Sequence, residues 1–277
     1  MTQAIAVARY TLLELTRRRL LVMILALGVL LMGGIAIAPH VLPGMKSDQD
    51  RLIVMLTALA GVVPDAVTLC AFAVGMTVIN HDLDSGAVIS IFAKPMNRAS
   101  YTAGKLLAAI SLLLMIAAIF AVGSLLVVAA NGGAVYEVVF WTCAALAANI
   151  VLLMLLVMVL TVYLNNVVAA AIVFAFNYLA GTVLILRAMV QHNVITDAIA
   201  KTLVNVAYWG VPHELASNLQ RQILELQLST GTVRFGVGQN PLDRVPGASD
   251  VVDIWFWFAY VVAICAVLFW SVRRKQV

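Results

Sequence analysis

Few side chains in this sequence are of the types that do chemistry, and those few are scattered along it. Gly104-Lys105 ends a stretch like a phosphate-binding loop, but Ala99 and Leu106 stand where such a loop needs glycine and a hydroxyl residue. No acidic cluster of the kind that holds magnesium is present, and no two histidines have zinc-ligand spacing. The four histidines are His40, His81, His192 and His213. We therefore expect no catalytic site, no metal site and no cofactor bound by this chain.

Three polar residues inside apolar runs are candidates for a transport role. Asp65, which follows Pro64, is the only acid well inside an apolar run, and an ionisable residue there is a functional candidate by default. The alternative is that Asp65 lies toward the outer end of its helix and reaches water. Asn149 and Asn177 are typical of hydrogen bonding between membrane helices. Asp65 and Asn177 are kept as candidate translocation residues.

The sulfur-containing residues indicate packing. Cys70, Cys143 and Cys265 all fall in apolar runs, which predicts free thiols and no disulfide framework. Met154 and Met158 have no compact copper-binding spacing, so we expect them in the core.

The elements that carry these residues are membrane helices. The chain of 277 residues is 64% hydrophobic and 11% charged, whereas soluble domains carry about a quarter charged residues. A membrane-spanning helix needs about 20 apolar residues. Six stretches qualify, at 20–38, 57–80, 106–130, 138–162, 167–188 and 252–272. The composition therefore predicts a single all-α, polytopic membrane domain over residues 1–277 with six transmembrane helices.

An amphipathic helix is predicted ahead of the first span, at residues 4–19. Its apolar side chains share one face, and its charged side chains lie largely elsewhere. The apolar set is Ile5, Ala8, Leu12 and Leu15 with Thr16, and the charged set is Arg9, Glu14, Arg17, Arg18 and Arg19. This pattern is typical of a helix in the membrane interface. The alternative is a cytoplasmic extension of the first span. The apolar run that follows the arginines reaches Ala38, which is typical of a membrane anchor.

The most polar internal stretch is the loop at residues 82–105. It begins with two acids, Asp82 and Asp84, and a turn at Gly86. An apolar patch follows, formed by Val88, Ile89, Ile91 and Phe92. Pro95 then breaks the chain, and the basic residues Arg98 and Lys105 precede its return into the membrane. Acids ahead of a short apolar run favour a helix N-terminus, and Pro95 keeps that helix short. Lipid headgroups or another protein are the two candidates to bury its apolar face. The alternative is a solvated loop with an incidental helix.

The distribution of positive charge predicts the orientation. Ten Lys and Arg residues lie at the N-terminus, in the 82–105 loop and in the C-terminal tail, against two in the short loops on the opposite side. Positive flanks favour the cytoplasm, so both termini and the 82–105 loop are predicted to be cytoplasmic. Tight turns are predicted at Asn131-Gly132-Gly133 outside and at 163–166 inside.

The segment at residues 189–251 is predicted to lie outside the membrane, as a small cap or a pair of interfacial helices. One helix is indicated by Ile195, Ile199, Leu203 and Val206, and a second by Leu215, Leu219, Ile223 and Leu226. Residues 231–247 read as irregular or a hairpin.

The helix ending ELTRRRL, the six spans and the loop DLDSGAVISIFAKPMNRASYTAGK together resemble the membrane subunit of a type-2 ABC exporter. In that family the loop reads acid, Gly-Thr, a hydrophobic run, Pro, a small residue, Arg and a Gly-Lys re-entry. Gly86, Pro95, Arg98 and Gly104-Lys105 match, whereas Ala87 stands where Thr is usual and Asn97 where Ser is usual. Within the family the chain is most similar to permeases linked to multicopper-enzyme maturation.

The resemblance implies a function and a set of partners. A coupling helix at about residues 84–93 would dock on a separate ATP-binding subunit, with the N-terminal helix as a second contact. Two ATP-binding subunits holding ATP and magnesium would act on two permeases, as a homodimer or a related heterodimer, in a bacterial cytoplasmic (inner) membrane. The second and fifth spans would line the path of an unidentified lipid, drug, peptide or glycan-lipid, and a periplasmic partner could bind the 189–251 segment. Nucleic acid is not expected.

Two other functions are kept beside export. An ATP-independent transporter or channel would show paired intramembrane charges or broken helices in matching halves. A membrane assembly or scaffold protein would need no ATPase partner.

Overall fold

The described part of the chain is entirely helical. In a computed structural model, residues 2–17, 19–41, 48–79, 97–130, 136–229 and 241–274 are described, and no strand is found among them. The helices are α1 Thr2–Thr16, α2 Arg19–Val41, α3 Asp48–Val78, α4 Arg98–Ala130, α5 Tyr136–Tyr163, α6 Asn166–Gln191, α7 Ala198–Gly210, α8 Leu219–Ser229 and α9 Val251–Arg274, with a 3-10 turn at Pro241–Arg244. The predicted all-α class is confirmed.

Five of these helices are long and apolar enough to cross a membrane, which supports a membrane-embedded protein. They comprise Gln49–Val78 of α3 and the whole of α4, α5, α6 and α9. In α2 the qualifying apolar stretch is the shorter Val22–Ile37. The predicted count of six spans is therefore not confirmed.

Two helices begin well before the predicted spans that they contain, because polar residues form their first turns. α3 begins at Asp48 and α4 begins at Arg98, both well before the apolar runs start. Asn97 explains the second case, since its side-chain oxygen accepts a hydrogen bond from the Ala99 amide at 3.0 Å, as a helix N-cap does. Arg98, Gly104 and Lys105 therefore belong to α4 and not to the preceding loop.

The N-terminal region consists of two helices. α1 ends at Thr16, Arg17 lies in a turn, and α2 begins at Arg19. The Arg17 amide donates to the Glu14 carbonyl oxygen at 3.3 Å, the tightened spacing with which helices often end. The helix predicted over 4–19 is present as α1 and ends at Thr16, and the turn at Arg17 contradicts the alternative of a continuous extension of the first span.

The core lies where α3, α4 and α5 meet. Met55, Leu113, Ile116, Ile150 and Met154 are fully buried there. Met158 is buried in the same cluster, which confirms that both α5 methionines pack. Cys70, Cys143 and Cys265 are free thiols, as predicted.

The predicted tight turn at 163–166 is also confirmed. α5 ends at Tyr163 and α6 begins at Asn166. The Asn165 side chain accepts from the Val167 amide at 3.2 Å and caps α6. The other predicted turn, at Asn131-Gly132-Gly133, lies outside the described residues.

Candidate functional site

The two ends of the helical bundle differ. At one end, here the Arg98 end, α4 and α6 begin while α5 and α9 finish. Arg98 donates to the Arg273 carbonyl oxygen at 3.2 Å, and the Tyr163 hydroxyl donates to Ser271 at 2.8 Å. At the other end, here the segment end, α6 finishes, α9 begins, and residues 192–250 connect them.

At the Arg98 end, α1 is fixed against the first turns of α4. Gly104 makes the close approach possible, because a Cβ at that position would lie 2.6 Å from the Ala4 carbonyl oxygen and 2.7 Å from the Val7 Cβ. Next to it, Lys105 is only 4% exposed, and its Nζ lies 4.0 Å from the Glu14 carboxylate. We call this contact the α1 clasp. It ties α1 to the first turns of α4.

The predicted apolar face of α1 is partly wrong. Leu15 is buried, but Ile5 is 61% exposed, and Thr11, which was not predicted, is 1% exposed. The face that packs on α4 is therefore rotated from the predicted one. Ile5, Tyr10 and Leu13 form a second apolar surface that is left exposed.

Some of the predicted charged and loop residues are exposed in the structure, and others lie outside the described residues. Arg9 and Arg17 are exposed, and Arg19 is the exposed first residue of α2. Outside the described residues lie Arg18, Asp82, Asp84, Gly86, Val88, Ile89, Ile91, Phe92 and Pro95. The coupling helix at 84–93 thus stays a prediction.

Replacing Gly104 by valine should displace α1 from α4. The new side chain would overlap backbone and side-chain atoms of α1, and overpacking of this kind costs about 1–3 kcal/mol. Limited proteolysis of the N-terminal helix in detergent should show faster cleavage in Gly104→Val than in the wild type. Gly181→Val is the matched control, because no atom lies within 4 Å of a Cβ there. Equal cleavage rates in both variants would contradict the clasp.

At the segment end, the chain between α7 and α8 is inserted among the long helices. Asn149 stands at the middle of the 28-residue helix α5. Its side chain accepts from the Leu215 amide at 2.8 Å and donates to the Leu215 carbonyl oxygen at 3.0 Å. The non-helical connector at residues 211–218 therefore reaches the middle level of a span-length helix. Irregular backbone at that depth needs protein partners for its polar groups.

The chain before α9 supplies more of those partners. The Ser249 side chain accepts from the Ala216 amide at 2.8 Å, and the Ser249 amide donates to the Ala216 carbonyl oxygen at 3.1 Å. Asn218 accepts from the Ala248 amide at 2.8 Å. Leu219 and Ile223 of α8 are buried in the same core cluster as α3. α8 is therefore built into the bundle and does not lie on its surface, whereas α7 leaves Ile199, Leu203 and Val206 exposed. A small cap or an interfacial position for this segment stays a prediction.

A buried polar cluster holds the segment end together. Asp253 of α9 accepts from the Tyr208 hydroxyl at 2.8 Å and lies 3.4 Å from the Arg187 guanidinium. That guanidinium also stacks over the Tyr208 ring, 3.5 Å from its centroid. The His213 ring also stacks on the Tyr208 ring, with the two ring centroids 3.8 Å apart. The cluster joins α6, α7, the connector and α9, and burial together with Asp253 raises the pKa of Tyr208.

Two ionisable residues of the connector are affected by burial. Desolvation lowers the pKa of His213, so its ring is neutral in the folded protein at neutral pH. Desolvation raises the pKa of Glu214, which lines a cavity of about 220 Å³ beside Asn149 and Gln220. The connector therefore presents a neutral imidazole and an easily protonated carboxyl to the bundle interior.

Replacing Glu214 by glutamine should stabilise the protein more at pH 8 than at pH 5. A carboxyl whose pKa is raised on folding contributes stability below about pH 4.5, its unfolded value, and loses that contribution as the pH rises through the folded pKa. Glutamine does not titrate, so its advantage grows with pH. Thermal unfolding of both proteins from pH 5 to pH 8 measures this. A constant difference across the range would contradict a desolvated Glu214.

The two candidate translocation residues lie apart from this cluster. Asp65 is exposed just past the middle of α3, and both its transport role and the alternative that it lies toward the outer end of the membrane span stay predictions. Asn177 of α6 is partly buried, and its side-chain oxygen has no hydrogen-bond partner among the described residues. The residue type of Asn149 suggested a hydrogen bond to a second helix, but its side chain bonds to the connector at Leu215.

The Asp253 cluster was missed in the sequence, although it has a sequence signal. Asp250 and Asp253 have capping-box spacing ahead of an apolar run, and the Asp253 carboxylate accepts from the Asp250 amide at 3.0 Å. Arg187 is the one charged residue at the end of the fifth apolar run. No protein-family model matches the chain, and no curated protein matches it significantly.

Proposed function

We propose that this protein is the permease subunit of an ATP-driven ABC exporter in a bacterial inner membrane. A separate ATP-binding subunit would hydrolyse ATP, and two permease copies would form the path for an unidentified lipid, drug, peptide or glycan-lipid. The observation that carries the proposal is the α1 clasp. A loop that receives force needs a stiff connection to the membrane helices, and the clasp provides one at the end of that loop.

The segment end supports the proposal from the other side. A path that opens away from the ATPase needs a closure that can move as a unit. Hydrogen bonds tie the connector to α5 and to Ser249, just before α9, and Leu219 and Ile223 of α8 pack in the core cluster with α3. This arrangement favours a gate at the far end of the bundle.

The first test is association with an ATP-binding protein encoded beside this one. We expect the wild type to purify with that protein as an active ATPase complex in mild detergent. Ile91→Glu combined with Phe92→Glu should abolish association, because two charges would occupy the apolar face predicted to dock.

The matched control also replaces two apolar residues by glutamate, at the Arg98 end of the bundle. Leu164→Glu combined with Val167→Glu alters two exposed residues where α5 ends and α6 begins, so this variant should retain the complex. Loss of association in both variants, or in neither while both stay folded, would overturn the coupling role. The lack of any neighbouring ATP-binding protein would count against the proposal at the outset.

An ATP-independent transporter is the second candidate, favoured by Asp65. This carboxylate is exposed on a helix of membrane-spanning length, and such residues mark ion pathways. In that case uptake or export in vesicles should follow a proton or sodium gradient without ATP, and Asp65→Asn should abolish it. Under the exporter proposal, transport would need ATP and would survive Asp65→Asn.

A further inference from the structure

A large recess lies between α5 and α9 at the segment end. Its volume is about 560 Å³, within the range of small-molecule sites. It follows α5 from Glu137 to Ala148, which is about 16 Å at the rise of an α-helix. Both helices are of membrane-spanning length, so the inner part of the recess lies at the level of the lipid tails.

Small side chains on α5 create the recess. Ala144, Ala145 and Ala148 of α5 line it together with Trp257 and Phe258 of α9. An alanine surface facing aromatic rings leaves a slot that only apolar groups fill favourably. The deep part of the recess therefore suits a hydrocarbon chain.

The end of the recess nearest the segment is polar. Ser217, Asn218 and Ser249 line it, and Glu137 is the one charged residue among the described lining residues. Asn218 uses its side-chain oxygen for the Ala248 amide, which leaves its NH₂ group without an acceptor among the described residues. Hydroxyl and amide groups with one carboxylate favour an uncharged, hydroxyl-bearing headgroup and disfavour an anion.

We propose that the recess binds a single-tailed amphiphile with an uncharged, hydroxyl-bearing headgroup, taken from the surrounding bilayer. The tail lies between the alanines of α5 and the aromatic rings of α9. The headgroup lies under Ser217 and Asn218. Binding at this site needs no ATP-binding partner, so it is independent of the exporter proposal.

The test measures binding of radiolabelled monooleoylglycerol to the purified full-length protein in nanodiscs. We expect saturable binding that falls at least about tenfold in Ala144→Trp, since Ala144 is an exposed residue and the indole fills the slot from its open side. Oleate, which carries an anionic headgroup, should compete poorly.

The control is Ala118→Trp, which places the same side chain at an exposed position of α4 outside the recess. This variant should bind like the wild type, and thermal unfolding should show that all variants are folded. Ala148→Phe is a second blocking variant from the deep end. Equal binding by Ala144→Trp and Ala118→Trp, equal competition by oleate, or no saturable binding by the wild type would each overturn the proposal. The last result would mean that protein, from this chain or a second copy, fills the recess.

Discussion

Replacing Asp253 by alanine should cost about 3–5 kcal/mol in the free energy of unfolding, the usual loss when one partner of a buried ion pair is removed. Asp253 is 6% exposed and accepts from the Tyr208 hydroxyl and the Asp250 amide while it faces Arg187. Without the carboxylate, a guanidinium and two donors would stay buried and unpaired. Unfolding by denaturant in detergent micelles measures the difference.

A matched control tests whether removing a carboxylate elsewhere in the protein costs as much stability. Glu225→Ala removes a carboxylate from an exposed pair with Arg221, four residues away on α8. Exposed pairs of this kind contribute about 0.5 kcal/mol at most, so the control should be nearly neutral. Asp253→Asn should fall between the two, because the amide still accepts hydrogen bonds but carries no charge. A loss below about 1 kcal/mol in Asp253→Ala would show that the cluster does not hold the segment.

Replacing Asn149 by leucine should release the connector and cost about 2–4 kcal/mol. The substitution leaves the Leu215 amide and carbonyl oxygen without partners at the middle level of α5, and each unpaired buried group costs about 1–3 kcal/mol. Unfolding in detergent measures the loss, and hydrogen exchange of the Leu215 amide should become faster.

Asn177→Leu provides the control in a neighbouring helix. Its side-chain oxygen already lacks a partner among the described residues, so replacing the amide by an apolar side chain should be neutral or slightly stabilising. If both variants lost the same stability, the cost would belong to any polar-to-apolar change and not to the Leu215 contact. If the Leu215 amide exchanged at the wild-type rate in Asn149→Leu, the connector would be held by other groups.

The sequence determined the long helices and the turn between α5 and α6. Hydropathy reports how each stretch of about 20 residues prefers lipid or water, so α5, α6 and α9 begin and end within a few residues of the predicted spans. It failed at Asp48 and Arg98, where helices begin with polar turns that a hydropathy window assigns to loops. The break at Arg17 lies close to Arg19, where the N-terminal helix was predicted to end and the first span to begin.

Only the tertiary structure decided which polar groups meet. Asn149 and Leu215 are 66 residues apart, and so are Arg187 and Asp253. Their types were visible in the sequence, but a buried asparagine or aspartate pairs with whatever the fold brings within about 3 Å, and residue type does not specify that partner. The same holds for Gly104, whose missing side chain gains its meaning from the α1 backbone beside it. Local preferences set the helices, and the hydrogen bonds of buried polar residues such as Asn149 and Asp253 set the way in which the described parts of residues 192–250 fit among them.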